Sequence, residues 1–176
     1  MTTPDQKPTI KPMEKKILNI VLSPIIYRGR ILLLKRAKEP FTGLWGMPGG
    51  KLEFGENLEE AIEREIKEET AIPVKFVSIR GLVNEIFHEV ATKTKQAQSI
   101  IFVCEVTPSH GSQVASEEGR LKWFKLADLK KFHEQIIPSD YLMLNRFFLK
   151  QDVRIRLHKV KMLQAKNYYK IEKTDL

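Results

Sequence analysis

A single cysteine, Cys104, is all the thiol the chain has, so no disulfide can form within it. Cys104 sits in the apolar run 99–106, where a small buried hydrophobe is expected rather than a nucleophile. The single thiol fits a reducing, cytoplasmic setting. Long apolar runs are missing as well. The best candidate for a membrane span, residues 17–26, is interrupted by Asn19, Ser23 and Pro24 and falls short of the ~20 residues a spanning helix needs. Residues 1–16 hold three prolines and four lysines but no apolar segment of the kind a secretory signal requires. Glycine and proline number only nine each, and 42% of residues are hydrophobic against 30% charged, which excludes a disordered, collagen-like or coiled-coil polymer.

What is present suits one globular domain with added extensions. The net charge is +8, unevenly placed. Residues 1–16 carry four positive and two negative side chains, and residues 150–176 carry eight and three, leaving +1 for 17–149. The chain is accordingly divided into an extended leader (1–16), a folded domain (17–149) and a basic C-terminal extension (150–176). Such an extension can attract a polyanion such as RNA, or simply form a solvated surface.

No internal repeat is present. Residues 17–26 and 31–34, joined across Arg28-Gly29-Arg30, read as a strand hairpin, and 39–50, rich in Pro and Gly around Trp45, as a loop. Asn57 is a good helix cap, and Glu60 three residues on completes a capping box for a helix over 57–70. Strands follow at 74–83, 99–106 and 121–124, then helices at 126–134 and 141–149. Val153, Ile155 and Leu157 alternate with arginines before a second apolar stretch, 168–172, which suggests a C-terminal β-hairpin able to extend a sheet or a dimer interface. The expected class is α/β, a mixed sheet sandwiched by helices.

The helix carries the sharpest signal. At about 100° per residue with Leu58 at zero, Ala61, Ile62 and Ile66 form an apolar stripe at about −60°, +40° and +80°. Glu65 and Glu69 fall in the same direction, at about −20° and +20°, with Glu68 flanking at about −80°. Carboxylates aligned with a core stripe repel one another and lose hydration unless a cation compensates. Oxygen donors select a hard divalent ion such as Mg²⁺, Mn²⁺ or Ca²⁺, and a solvated helix end is the alternative.

Gly50, five residues, Glu56, seven residues and then Arg64-Glu65-Ile66-Lys67-Glu68-Glu69-Thr70-Ala71-Ile72 resemble the Nudix box, the signature of Nudix hydrolases. Every fixed position agrees except Ala71, which stands where the family has glycine. The preceding Trp45-Gly46-Met47-Pro48-Gly49 is similar too. The resemblance implies an α/β/α sandwich that hydrolyses a nucleoside diphosphate linked to another moiety, with Mg²⁺ or Mn²⁺. It assigns metal binding to Glu65, Glu68, Glu69 and the Gly49 carbonyl, and makes Glu56 and Arg64 a buried structural pair. The cation would neutralise pyrophosphate oxygens and align a water for attack at phosphorus.

The general base stays open between Glu68 and Glu117 or Glu118, with His88 and His110 as further candidates. Arg36, Lys35, Lys51 and Gly50 are placed to meet phosphate. Phe41, Trp45, Phe54 and Phe87 can stack on a base or fill the core. Phe87, sixteen residues beyond Ala71, is neither the proline of ADP-ribose hydrolases nor the tyrosine of dinucleoside polyphosphate hydrolases. Candidate substrates are nucleoside diphosphate sugars, ADP-ribose included, and nucleoside triphosphates. RNA 5′ ends and a non-catalytic nucleotide sensor are the alternatives, and a homodimer is a further expectation.

Overall fold

The apolar stretch 17–26 divides at Ser23 and Pro24, and its two halves join different sheets. The computed structural model describes residues 16–89, 95–112, 119–150, 157–165 and 168–174. Strand β1 (Ile17–Leu22) runs parallel to β7 (Lys95–Pro108) and antiparallel to β5 (Gly49–Lys51). After Pro24, which has no N–H to give a ladder, β2 (Ile25–Tyr27) turns back on β3 (Arg30–Arg36). The expected hairpin is therefore only this second half. Its two turn residues, Arg28 and Gly29, both have positive φ, the geometry that two-residue hairpins favour.

Two sheets result. One has six strands in the order β10-β9-β6-β7-β1-β5, with β6 (Val74–Glu89) and β7 as its central antiparallel pair. In the other, β3 pairs along one edge with β2 and β4 (Trp45–Gly46), and along its other edge with β8 (Gly119–Lys125). The segment read as a loop, 39–50, thus contributes β4 and the start of β5. Both sheets are fed by β-branched and leucine-rich segments whose neighbours in sequence face opposite cores: Ile31 and Leu33 point one way, Leu32 the other.

Helix α1 (Leu58–Thr70) covers one side, burying Ala61, Ile62 and Ile66 against Val21, Ile25, Leu32 and Cys104. Each isoleucine so buried contributes roughly 1.5–3 kcal/mol. Burial pushes the Cys104 thiol up to about 12, which leaves it a packing residue. The other core joins Ile31, Leu33, Val83, Phe87, Leu144 and Phe147 beneath α2 (Pro138–Leu144). The expected helix 126–134 is instead a 3₁₀ segment, Leu126–Gln135, with no side-chain cap at Lys125. The expected helix 141–149 starts earlier, at Pro138, and ends in a π-turn over Asn145–Leu149.

At the C-terminus β9 (Leu157–Ala165) and β10 (Tyr168–Thr174) form an antiparallel hairpin, and β9 lies parallel to β6. Val153 and Ile155 lie outside the described residues. No helix among the described residues is long and apolar enough to cross a membrane.

Candidate active site

The segment that precedes α1 is fixed before the helix begins. The capping box forms as expected: the Glu60 N–H donates to Asn57 Oδ1 at 3.0 Å, and the Asn57 N–H donates to Glu60 Oε2 at 2.9 Å. Arg64 then reaches back. Its guanidinium donates to both Glu56 oxygens and to the Lys51 carbonyl at 3.2 Å, stitching β5 and the turn at 53–56 to the helix. Arg64 and Glu56 keep 26% and 19% of their side-chain surface, so the pair is half-buried rather than buried. The hydrogen bond from Arg64 holds the Glu56 carboxyl below its usual range, and Glu56 in turn raises Arg64.

Gly49 and Gly50 let the backbone pass close to its neighbours. Gly49 has φ +139°, and a Cβ there would run into the Val21 carbonyl oxygen. A Cβ on Gly50 would overlap the Glu65 carboxylate. These two glycines and Lys51 share one cavity of about 870 Å³ with Glu65, Glu68 and Glu69.

The three glutamates line the same wall but take different partners. Glu69 is buried and accepts the Gly49 N–H at 2.8 Å. Glu65 lies 3.0 Å from Arg64, and burial raises its carboxyl pKa while Arg64 opposes the rise. Glu68 keeps 61% of its side-chain surface and stands 3.4 Å from Arg64. Among the described residues no three acidic, Cys or His side chains converge closely enough to hold an ion. The resemblance assigns metal binding to Glu65, Glu68, Glu69 and the Gly49 carbonyl; here the three side chains turn to different partners. Like charges disperse toward the nearest donor, and Gly49 engages Glu69 through its N–H. The donors nonetheless fit a hard divalent cation, being carboxylates alone on one wall.

A second polar group closes the cavity elsewhere. Asp140 is fully buried at the start of α2 and accepts the Met47 N–H at 2.7 Å. Burial pushes its carboxyl up to about 7, the neighbouring Glu85 adds to the rise and Arg36 opposes it. Glu85 is also raised by burial, with a hydrogen bond from Ser139 working against that shift, and its Oε2 has no hydrogen-bond partner among the described residues. Glu85, Ser139 and Asp140 all line the cavity. Sequence reasoning passed over them. The available signal was a charged residue, Glu85, set among Leu82, Val83, Ile86 and Phe87.

Of the expected substrate contacts, Arg36, Gly50, Lys51, Phe41 and Phe87 line the cavity. Phe87 is a buried wall, edge-on to Phe41 at 5.5 Å. Trp45 is not in the lining. Its ring packs edge-on to Phe124 at 5.1 Å, and the Lys35 ammonium sits over it at 5.8 Å, so it is a core residue. Phe54 is fully exposed and does not touch the cavity. His110 lies by a separate depression with Tyr27, Arg28 and Trp123, and His88 does not line the main cavity. Glu117 and Glu118 lie outside the described residues.

A family model described as NUDIX domain matches residues 20–147. An ADP-ribose pyrophosphatase of Methanocaldococcus jannaschii is 37% identical over 117 residues, 64% of this chain and 66% of that protein, just under two thirds of its length. An 8-oxo-dGTP diphosphatase of Buchnera aphidicola is 33% identical over 120 residues, 67% of this chain and 85% of that one. Among solved structures, a MutT protein of Bacillus halodurans has the same fold, with a TM-score of 0.67 and 22% identity over 89% of this chain and 98% of that one.

Proposed function

The chain belongs to the Nudix family, and from that premise we propose that it is a divalent-metal-dependent pyrophosphohydrolase. Its substrate would be a nucleoside diphosphate linked to another moiety, ADP-ribose first among them. One observation carries the reading: a single cavity of about 870 Å³ joins the box glutamates to a buried polar group, Glu85, Ser139 and Asp140. That volume lies within the range of ligand pockets that enclose a nucleotide-sized molecule. The archaeal relative named an ADP-ribose pyrophosphatase supports the substrate class.

Glu65, Glu68 and Glu69 would hold Mg²⁺ or Mn²⁺. Bound there, the ion would offset charge on the pyrophosphate oxygens and lower the pKa of a water. Glu68, the most exposed of the three, would accept a proton from a water attacking phosphorus. Arg36 and Lys51, on the same cavity, offer positive charge to the phosphates. Arg64 keeps the glutamates oriented while tied to Glu56. Glu85, whose buried Oε2 has no hydrogen-bond partner among the described residues, favours a substrate end that brings a polar hydrogen-bonding group. A single buried thiol accords with a cytoplasmic location.

A second reading, hydrolysis of a nucleoside triphosphate, draws on the relative named an 8-oxo-dGTP diphosphatase. A panel of ADP-ribose, UDP- and GDP-sugars, dinucleoside polyphosphates and (d)NTPs including 8-oxo-dGTP, assayed with Mg²⁺ for nucleoside monophosphate release, separates the two. Turnover of ADP-ribose or a nucleoside diphosphate sugar supports the first reading, and turnover confined to triphosphates the second. No turnover on any, with the protein folded and binding a nucleotide, would contradict both.

A further inference from the structure

The C-terminal hairpin lies beyond residues 20–147, the stretch matched to the family, yet it reaches the cavity. Strand β9 sits beside β6 with Met162 opposite Phe87, and β10 presents Tyr169 to the turn at 39–41. The Tyr169 hydroxyl donates to Glu39 Oε2 at 2.8 Å and accepts the Phe41 N–H at 3.2 Å. Its ring packs on Phe41, with centroids 4.6 Å apart, and on Phe87 at 5.8 Å. Glu39, Pro40, Phe41 and Phe87 are all cavity wall.

The turn needs such a tie. Phe41 has φ +70°, a left-handed conformation that a bulky residue adopts only when its surroundings fix it. The turn is also bound to Arg36, whose Nε donates to the Pro40 carbonyl at 2.8 Å and whose carbonyl accepts the Gly43 N–H at 2.9 Å. The contacts of Tyr169 with residues 39 and 41 therefore bear on the wall and on the arginine held against it.

We propose, resting on the hydrolase reading above, that the C-terminal hairpin is part of the substrate site, and that Tyr169 is a positioning residue that holds the 39–41 turn in its receptive shape. Tyr169 need not touch the substrate. It sets how often the wall and Arg36 are in place, and apparent affinity scales with that fraction. Removing the hydroxyl deletes both hydrogen bonds and leaves the ring packing.

The test compares wild type with Tyr169→Phe, Glu39→Gln, the double variant and Tyr169→Ala. It measures KM and kcat on ADP-ribose with Mg²⁺, calorimetric binding of ADP-ribose, thermal stability, and hydrogen exchange over residues 38–44. Tyr169→Phe should speed exchange in that segment and raise KM and Kd roughly 3- to 10-fold, with kcat within about twofold. The double variant should be no worse than Tyr169→Phe, because that substitution already removes the hydroxyl's contacts with both residues 39 and 41. Tyr169→Ala, which also loses the ring, should show a larger rise.

Unchanged exchange in Tyr169→Phe overturns the proposal. So does faster exchange or lower thermal stability with KM and Kd unmoved, which would leave the hairpin a support for the fold alone. A wild type that neither hydrolyses nor binds ADP-ribose or any other member of the nucleotide panel removes the hydrolase reading and this inference with it. Variants neutral in an active enzyme remove only the inference. If another nucleotide is the substrate, the same readouts are taken on it.

Discussion

Arg64 grips Glu56 with two parallel hydrogen bonds, Nε to Oε1 at 2.6 Å and Nη2 to Oε2 at 3.0 Å. The guanidinium simultaneously meets Glu65 at 3.0 Å and Glu68 at 3.4 Å. One planar fork thus ties the turn before α1 to the helix and sets the directions of two candidate metal-holding carboxylates.

Lysine cannot reproduce that fork, although it keeps the charge. Arg64→Lys should lower kcat by roughly 10- to 100-fold through misplacement of the glutamates, with secondary structure by circular dichroism unchanged. The lowered carboxyl pKa of Glu56 adds a pH signature. The stabilising pair is complete above the carboxyl's unfolded pKa and is lost as pH falls through the lower folded value, so wild type should lose more stability than Arg64→Lys on acidification. Equal activity in the two proteins would show that the fork does not orient the site.

Asp140 carries the opposite sign. Its folded pKa of about 7 lies above the ordinary aspartate value, so the folded state binds more protons between those limits. Its contribution is full below the unfolded pKa and is lost as pH rises toward 7. Asp140→Asn keeps an acceptor for the Met47 N–H without the buried charge. The variant should gain on wild type by up to a few kcal/mol as pH rises from about 4 to about 7, at about 1.4 kcal/mol per tenfold change in proton affinity. Denaturant melts across that range check it; a gap that does not widen with pH would contradict the assignment.

Ala71 ends α1 at φ +56°, with its N–H donating to the Lys67 carbonyl at 2.9 Å. An alanine in this left-handed conformation costs roughly 1 kcal/mol relative to glycine. Ala71→Gly should therefore raise Tm by roughly 2–4 °C and leave kcat unchanged. A lower Tm would mean that the alanine methyl packs usefully.

Local chemistry explains what the chain disclosed in advance. The capping box at Asn57 and Glu60, the apolar stripe Ala61-Ile62-Ile66 and the aligned glutamates depend on residues within one helix, and all three stand in the structure. Features that depend on distant partners were not visible. Periodicity reads 17–26 as one strand because it registers burial, not which sheet a strand joins. Trp45 reads equally as a stacking or a core residue until Phe124, 79 positions later, packs on its edge. Asp140 becomes a buried acceptor only because Met47, 93 residues earlier, presents its N–H. Tyr169 and Glu39 meet across 130 residues.

The most direct measurement is kcat for wild type and Glu68→Gln at saturating Mg²⁺ on the best substrate of the panel. Glutamine keeps the shape of Glu68 but can neither accept the proton nor carry the charge. The expected result is a fall of roughly 10²–10⁴-fold with an unchanged melting profile. A folded Glu68→Gln that retains wild-type kcat would contradict it and move the chemistry away from the box glutamate.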